Sequence, residues 1–296
     1  MAQTQMALDS LDFDATVALA AKVAPHVDIL EIGTPCIKHN GIELLKTLRA
    51  KFPNNKILVD LKTMDAGFYE AEPFFKAGAD IVTVLGTADI GTIKGVIDVA
   101  NKYGKQAQVD LINVADKKAR TVEVAKLGAH IIGVHTGLDQ QAAGQTPFSD
   151  LALVTGLKTG AKVSVAGGVK AATVKQVVDA GADIVVAGAA IYGAADPAAS
   201  AKEITGLAHG SSASAGGFKW LPWAIAIGAA LLVLSLLTNK APEEAADAAP
   251  AATEQAVEAA PAEVAPEAAP MEEAPAAEAA PAEAAPAEAA PEAAAQ

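Results

Sequence analysis

Over residues 1–208, apolar residues gather in eight short runs, each followed by a stretch with helical spacing. The runs are QMAL (5–8), VDILEI (27–32), KILVDL (56–61), DIVTVL (80–85), QAQVDL (106–111), HIIGVH (130–135), AKVSVA (161–166) and DIVVAG (183–188). Most are rich in β-branched residues and bounded by Gly, Asp or Pro, which predicts strands. Between them, segments such as DFDATVALAAKVA and TIKGVIDVANKY predict amphipathic helices. The phrases KAGAD, KLGAH and DAGAD each place a Gly where a helix ends before the next strand. Strands alternating with helices predict a parallel sheet. Eight such units predict an α/β fold of the closed (β/α)8 type, a TIM barrel, over residues 1–208. An open doubly wound sheet is the alternative, but no G-x-G-x-x-G follows the first strand.

The pattern changes after residue 208. Residues 209–217, HGSSASAGG, read as a flexible linker. Between Lys219 and Lys240 there is no formal charge, and at about 1.5 Å per residue this run is long enough to cross a bilayer core. The chain's tryptophans, Trp220 and Trp223, stand at one end of it, as interfacial aromatics do. Residues 218–239 are therefore expected to form a transmembrane helix; a buried helix of a soluble core is the alternative, and nothing beyond it could build that core. Residues 240–296 are dominated by Ala, Pro and Glu, with nine of the 16 prolines, and are expected to be an extended, disordered tail.

Charge sharpens this division. Lys plus Arg number 22 and Asp plus Glu 35, a net of −13. Residues 241–296 hold 13 acids and no base, so residues 1–240 balance at 22 against 22. No basic block stands out, which argues against nucleic acid as a partner. A tail without positive charge favours its translocation, leaving the barrel in the cytoplasm. The lone Cys36 excludes an internal disulfide and fits a reducing compartment. The N-terminus has neither the basic nor the apolar region of a secretory signal.

In a barrel of this kind the chemistry lies at the C-terminal ends of the strands. Polar and charged residues recur there: Asp9, Glu31, Asp60 with Lys62 and Asp65 beyond it, Asp110, and His135. Glu31 and Asp60, on neighbouring strands, suit a hard divalent cation such as Mg²⁺, and no His/Cys cluster has zinc spacing. Lys62, flanked by Asp60 and Asp65, is expected to stay protonated and to act as a fixed cation rather than a Schiff-base nucleophile. His135 suits proton transfer near neutral pH. His26 and His130 precede strands at the opposite mouth, His209 falls in the linker, and His39 is read as a loop residue after the second strand. Gly167 and Gly168 in VAGGVKAATV, with Gly188 and Ala189 in VAGAAIYG, follow strands seven and eight, where barrels often bind phosphate through backbone N–H groups.

The D-x-K-x-x-D pattern at Asp60, Lys62 and Asp65 resembles the orotidine monophosphate decarboxylase suprafamily. The stretches MALDSLDF, ILEIGTPCIKHNG, LVDLKTMDAG, GVHTGLDQQAAGQ and VSVAGGVK resemble its 3-hexulose-6-phosphate synthases, across about residues 3–208 and none of the tail. The resemblance implies a Mg²⁺-dependent aldol condensation of formaldehyde with D-ribulose 5-phosphate through a 1,2-enediolate. In that reading Glu31 and Asp60 hold the metal, His135 moves the proton and Lys62 stabilises the enediolate. Asp9 and Asp110 orient hydroxyls or water, and Asp65 acts across the interface of a homodimer. Related keto-gulonate phosphate decarboxylases tend to carry Arg where this chain has Leu138 and Ala189. Arg at position 138 would suit a substrate carboxylate, so Leu138 argues against a 3-keto-L-gulonate-6-phosphate decarboxylase-like activity, which is the alternative. Ala189 leaves phosphate binding to lean on backbone groups. A membrane-attached, non-catalytic scaffold is another alternative.

Overall fold

The computed structural model describes residues 1–210 of the 296-residue chain. Eight parallel strands close into a barrel in chain order, with β1 beside β8. They are β1 (Gln3–Leu8), β2 (Ile29–Ile32), β3 (Lys56–Thr63), β4 (Ile81–Leu85), β5 (Gln106–Asp110), β6 (Ile131–His135), β7 (Lys162–Ala166) and β8 (Ile184–Ala187). The connecting helices are α1 (Phe13–Val23), α2 (Thr34–Lys51), α3 (Gly67–Lys76), α4 (Ile90–Lys102) and α5 (Lys117–Lys126). They continue with α6 (Leu138–Ala142), α7 (Phe148–Gly156), α8 (Ala171–Asp179), α9 (Ala189–Tyr192) and α10 (Pro197–Ala208). The (β/α)8 expectation holds, and the glycines of KAGAD, KLGAH and DAGAD take φ of 109°, 92° and 94° at the helix ends. Among the described residues no helix is long and apolar enough to cross a membrane. The expected transmembrane helix at 218–239 and the acidic tail at 240–296 lie outside the described residues.

The strands sort their side chains by parity, because successive residues face opposite sides of a sheet. Met6, Leu30, Val59, Val82, Val109, Ile132, Val165 and Val185 point outward and pack in one large core under the helices. Ile29, Leu58, Ile81, Ile131 and Ile184 point inward and form, with Ala7 and Val186, a separate apolar cluster inside the barrel. Going up the same inward rows, that cluster gives way to Glu31, Asp60, Thr83, Gln108 and Asp110, and then to His135. The lumen thus changes from apolar to polar toward one mouth.

The other mouth is closed by a fourfold pattern. The residue before each even strand accepts a hydrogen bond from a backbone N–H of the preceding odd strand. Asp28 accepts from Thr4 at 2.7 Å, Asp80 from Ile57 at 2.9 Å, His130 Nδ1 from Ala107 at 3.2 Å, and Asp183 from Val163 at 2.8 Å. These N–H groups have no strand to pair with at the barrel edge, so the four side chains complete the backbone there. Burial holds the His130 pKa down, in keeping with a neutral ring whose Nδ1 accepts. His209, read with the linker, instead ends α10, and its ring lies 3.1 Å from Asp28.

Candidate active site

The polar mouth encloses a cavity of about 1010 Å³ lined by Asp9, Glu31, Asp60, Lys62, Asp110 and His135. β3 does the most to build it. Asp60 is not its last residue: the strand runs on to Thr63, and Lys62 lies within it. Pairing with β4 steps from Val59↔Val82 to Thr63↔Val84, so β3 carries a bulge, and Lys62 sits in its left-handed kink at φ 47°. A non-glycine residue there costs on the order of 1–2 kcal/mol. Hydrogen bonds on both sides of the kink offset that cost. The Lys62 N–H donates to Thr83 Oγ1 at 3.0 Å, and Thr83 Oγ1 donates to Asp60 at 2.7 Å.

A continuous polar chain follows. Thr34 Oγ1 and Lys62 Nζ both donate to Asp60 Oδ2 at 2.5 Å. Lys62 Nζ also lies 3.3 Å from Asp110 Oδ2, which accepts from His135 Nδ1 at 2.9 Å. Asp110 Oδ1 takes the Ile112 N–H at 2.9 Å. With Nδ1–H engaged by Asp110, the neutral His135 ring leaves Nε2 as its free base. Burial alone would lower the His135 pKa, but the hydrogen bond and charge of Asp110 outweigh it and hold the pKa above its ordinary value. Burial likewise works against charge on Lys62, and the carboxylates of Asp60 and Asp110 overcome it, so the lysine is held protonated. Asp110 is held low despite its burial, chiefly by His135 and then by Lys62.

Asp9 and Glu31 are in the opposite situation. Burial, reinforced by the charge of Asp60, raises both, and Glu31 is pushed up to about 8. Asp9 fits only because Gly33 has no side chain: a Cβ there would stand 2.0 Å from Asp9 Oδ1. The cavity therefore holds more carboxylate than its one committed lysine can balance. Among the described residues no group of three or more His, Cys, Asp or Glu is spaced to hold a metal by itself. An all-oxygen pair, Glu31 with Asp60, still fits Mg²⁺, which keeps several waters and takes one or two carboxylates.

The phosphate-end residues also line the cavity: Gly167, Gly168, Gly188 and Ala189. Gly167 has φ 108°, and a Cβ on it would meet the Thr136 carbonyl at 2.4 Å. Asp65, expected to act across a subunit interface, and His39, read as a loop residue, both stand outside this chain's own cavity. Asp65 is exposed, accepts the Ala66 N–H at 2.7 Å and does not line the cavity. His39 is exposed within α2 rather than in a loop, and does not line the cavity either. Sequence reading missed Gln5, Thr34, Gln108, Ser164, Lys170 and Tyr192, all of which line it. Strand parity would have found three of them, since Gln5, Gln108 and Ser164 stand two residues before Ala7, Asp110 and Ala166 on inward rows.

Residues 2–204 match the orotidine 5'-phosphate decarboxylase / HUMPS family. The chain belongs to this family. Within the family it is 87% identical over 208 residues to a 3-hexulose-6-phosphate synthase of Methylomonas aminofaciens, covering 70% of this chain and 100% of that protein. Among solved family structures it is similar to the 3-hexulose-6-phosphate synthase of Salmonella typhimurium. That likeness has a TM-score of 0.67 at 42% identity, over 71% of this chain and 99% of the other. The 3-keto-L-gulonate-6-phosphate decarboxylase of Vibrio cholerae superposes with a TM-score of 0.63 at 27% identity, over 70% of this chain and 97% of that one. The family resemblance covers the barrel.

Proposed function

We infer that the barrel condenses formaldehyde with D-ribulose 5-phosphate to give D-arabino-hex-3-ulose 6-phosphate. The observation that carries this is 87% identity to a 3-hexulose-6-phosphate synthase along the whole of that relative. The unbroken chain Asp60–Lys62–Asp110–His135 supplies a base and a fixed cation side by side. Glu31 and Asp60 would hold Mg²⁺, which supplies Lewis-acid polarisation of the substrate carbonyl and its neighbouring hydroxyl. His135 Nε2 takes the C1 proton, with Asp110 fixing the ring and stabilising the imidazolium. Lys62 faces the negative charge that develops on the enediolate oxygens. C1 then attacks the formaldehyde carbon, and the proton on His135 returns to the new alkoxide. Asp9 orients substrate hydroxyls, and the backbone at Gly167, Gly168, Gly188 and Ala189 receives the phosphate.

The decarboxylase reading is disfavoured by Leu138. It is 77% exposed at the cavity rim and offers no cation to a substrate carboxylate. The test is formaldehyde consumption with ribulose 5-phosphate, in Mg²⁺ and then in EDTA. Consumption with Mg²⁺, lost in EDTA and in Asp60→Ala, is expected; carbon dioxide release from the gulonate substrate instead would establish the decarboxylase. The exposed Met64, Phe68 and Tyr69 beside Asp65 are the surface a second copy would cover in a homodimer, with Asp65 then facing the partner's cavity. Light scattering on Tyr69→Glu, expected to give a monomer, tests that. Residues 218–239 would anchor the barrel to a membrane with the barrel on the cytoplasmic side. Fractionation of the full chain against one ending at Gly210 decides it, since equal partitioning removes the anchor.

A further inference from the structure

Gln5 takes no part in the reaction as set out above, yet it is among the most deeply placed polar side chains at the cavity. It is 2% exposed, on the inward row of β1, and lines the cavity below the acidic pair. Its Nε2 donates to Glu31 Oε2 at 2.7 Å. Its Oε1 is buried and has no hydrogen-bond partner among the described residues. The inward positions flanking it in the register, Ile29 on β2 and Val186 on β8, are apolar. An apolar side chain at position 5 would therefore suit the packing and would remove an unpaired acceptor.

The two halves of the amide have opposite effects on stability. A hydrogen bond to a carboxylate is favourable, a buried acceptor left unpaired is unfavourable, and the two are of similar size. Gln5 thus contributes little to the stability of the barrel, and its contribution lies in where it holds Glu31. Oε2 is the oxygen that receives its N–H, which restrains the rotation of the carboxylate and with it the direction of Oε1 of Glu31. We propose that Gln5 is a positioning residue for Glu31, setting the carboxylate in the orientation in which it and Asp60 share a divalent cation. The proposal rests on the reading of Glu31 and Asp60 as the cation pair.

The experiment measures Mn²⁺ affinity by the electron paramagnetic resonance signal of free Mn²⁺, together with the thermal melt, for the full chain and for Gln5→Met. Met keeps the length of Gln and loses the amide. Loss of a partner that orients a metal ligand typically weakens binding 10- to 100-fold. The expected result is a loss of about that size, with a melting temperature within about 4 °C of the parent. Mn²⁺ affinity equal to the parent's in a folded Gln5→Met would overturn the proposal and leave the cation pair standing. Should Gln5→Met fail to fold, Gln5→Asn, which keeps the amide but is one methylene short of Glu31, is expected to show the same direction of loss; unchanged affinity there overturns the proposal as well. Asp60→Asn runs alongside. If the parent binds no Mn²⁺, or Asp60→Asn binds as the parent does, the cation pair itself falls and Gln5's role falls with it.

Discussion

Replacing Lys62 by Met separates the two roles the structure gives that residue. Its ammonium lies 2.5 Å from Asp60 and 3.3 Å from Asp110. Those two side chains are only 9% and 4% exposed, and the lysine side chain 20%. Breaking a buried pair by removing one partner costs about 3–5 kcal/mol. Here both carboxylates keep other donors: Thr34 and Thr83 on Asp60, His135 and the Ile112 N–H on Asp110. The lower end, about 3 kcal/mol, is therefore expected. Met is subject to the same left-handed backbone demand as Lys, so strain cancels in the comparison. The pH dependence has a definite sign. Lys62 helps hold the Asp110 pKa below its ordinary value. A depressed carboxylate contributes stability above its unfolded pKa of about 4 and loses it as pH falls. The deficit of Lys62→Met is thus greatest near neutrality and narrows below about pH 4. Catalysis responds separately: removing one group that stabilises an oxyanion costs about 10²–10³ in kcat. Urea melts at pH 2.5 and pH 7.5, with initial rates of formaldehyde consumption at saturating ribulose 5-phosphate, read both effects. A kcat within threefold of the parent in a variant that has lost the expected stability would show that Lys62 is a structural counterion alone. Stability unchanged at both pH values would refute the ion-pair argument itself.

Three further predictions follow from the same geometry. Asp110→Asn removes the charge that raises the His135 pKa; because His135 must be neutral to act as a base, the acid limb of the kcat/KM profile is expected to move to lower pH, and an unmoved limb would assign it to another group. Lys170 lines the cavity and makes no ion pair among the described residues, so Lys170→Ala is expected to raise the KM for ribulose 5-phosphate about tenfold, the lower end for a charged hydrogen bond at an exposed site, with kcat nearly unchanged and Lys170→Arg restoring it. Asp183→Ala leaves the Val163 N–H unpaired at the far mouth and is expected to cost about 1–3 kcal/mol in urea melts without changing kcat; a kcat loss comparable to that of Lys62→Met would mean the two ends of the barrel are coupled.

The barrel was legible in the sequence because its signals are local. Each strand carries its own apolar run, each helix its own period, and the glycine ending three of the helices marks where φ turns positive. The strand-end residues were legible through one global rule, that the mouth lies at the C-terminal ends. That rule brought Asp9, Glu31, Asp60, Lys62, Asp110 and His135 to the cavity they do line. It failed where parity, rather than position along the strand, decides. Gln5 lies well inside β1, and only the inward row it shares with Ala7 reveals that it faces the lumen. Asp65 shows the converse. It belongs to the same six-residue pattern as Asp60 and Lys62, but the strand ends at Thr63, and two residues later the chain has left the lumen. The bulge in β3 could not be read either, since nothing in VDLKT distinguishes a straight strand from one with Lys62 at φ 47°. Yet the kink carries functional consequence. Asp60 and Lys62 are two residues apart on one strand, and their contact at 2.5 Å and the reach of Lys62 to Asp110 on β5 both belong to a strand that bends at that point. A motif fixes which residues are available; the distortion of one strand decides which of them meet.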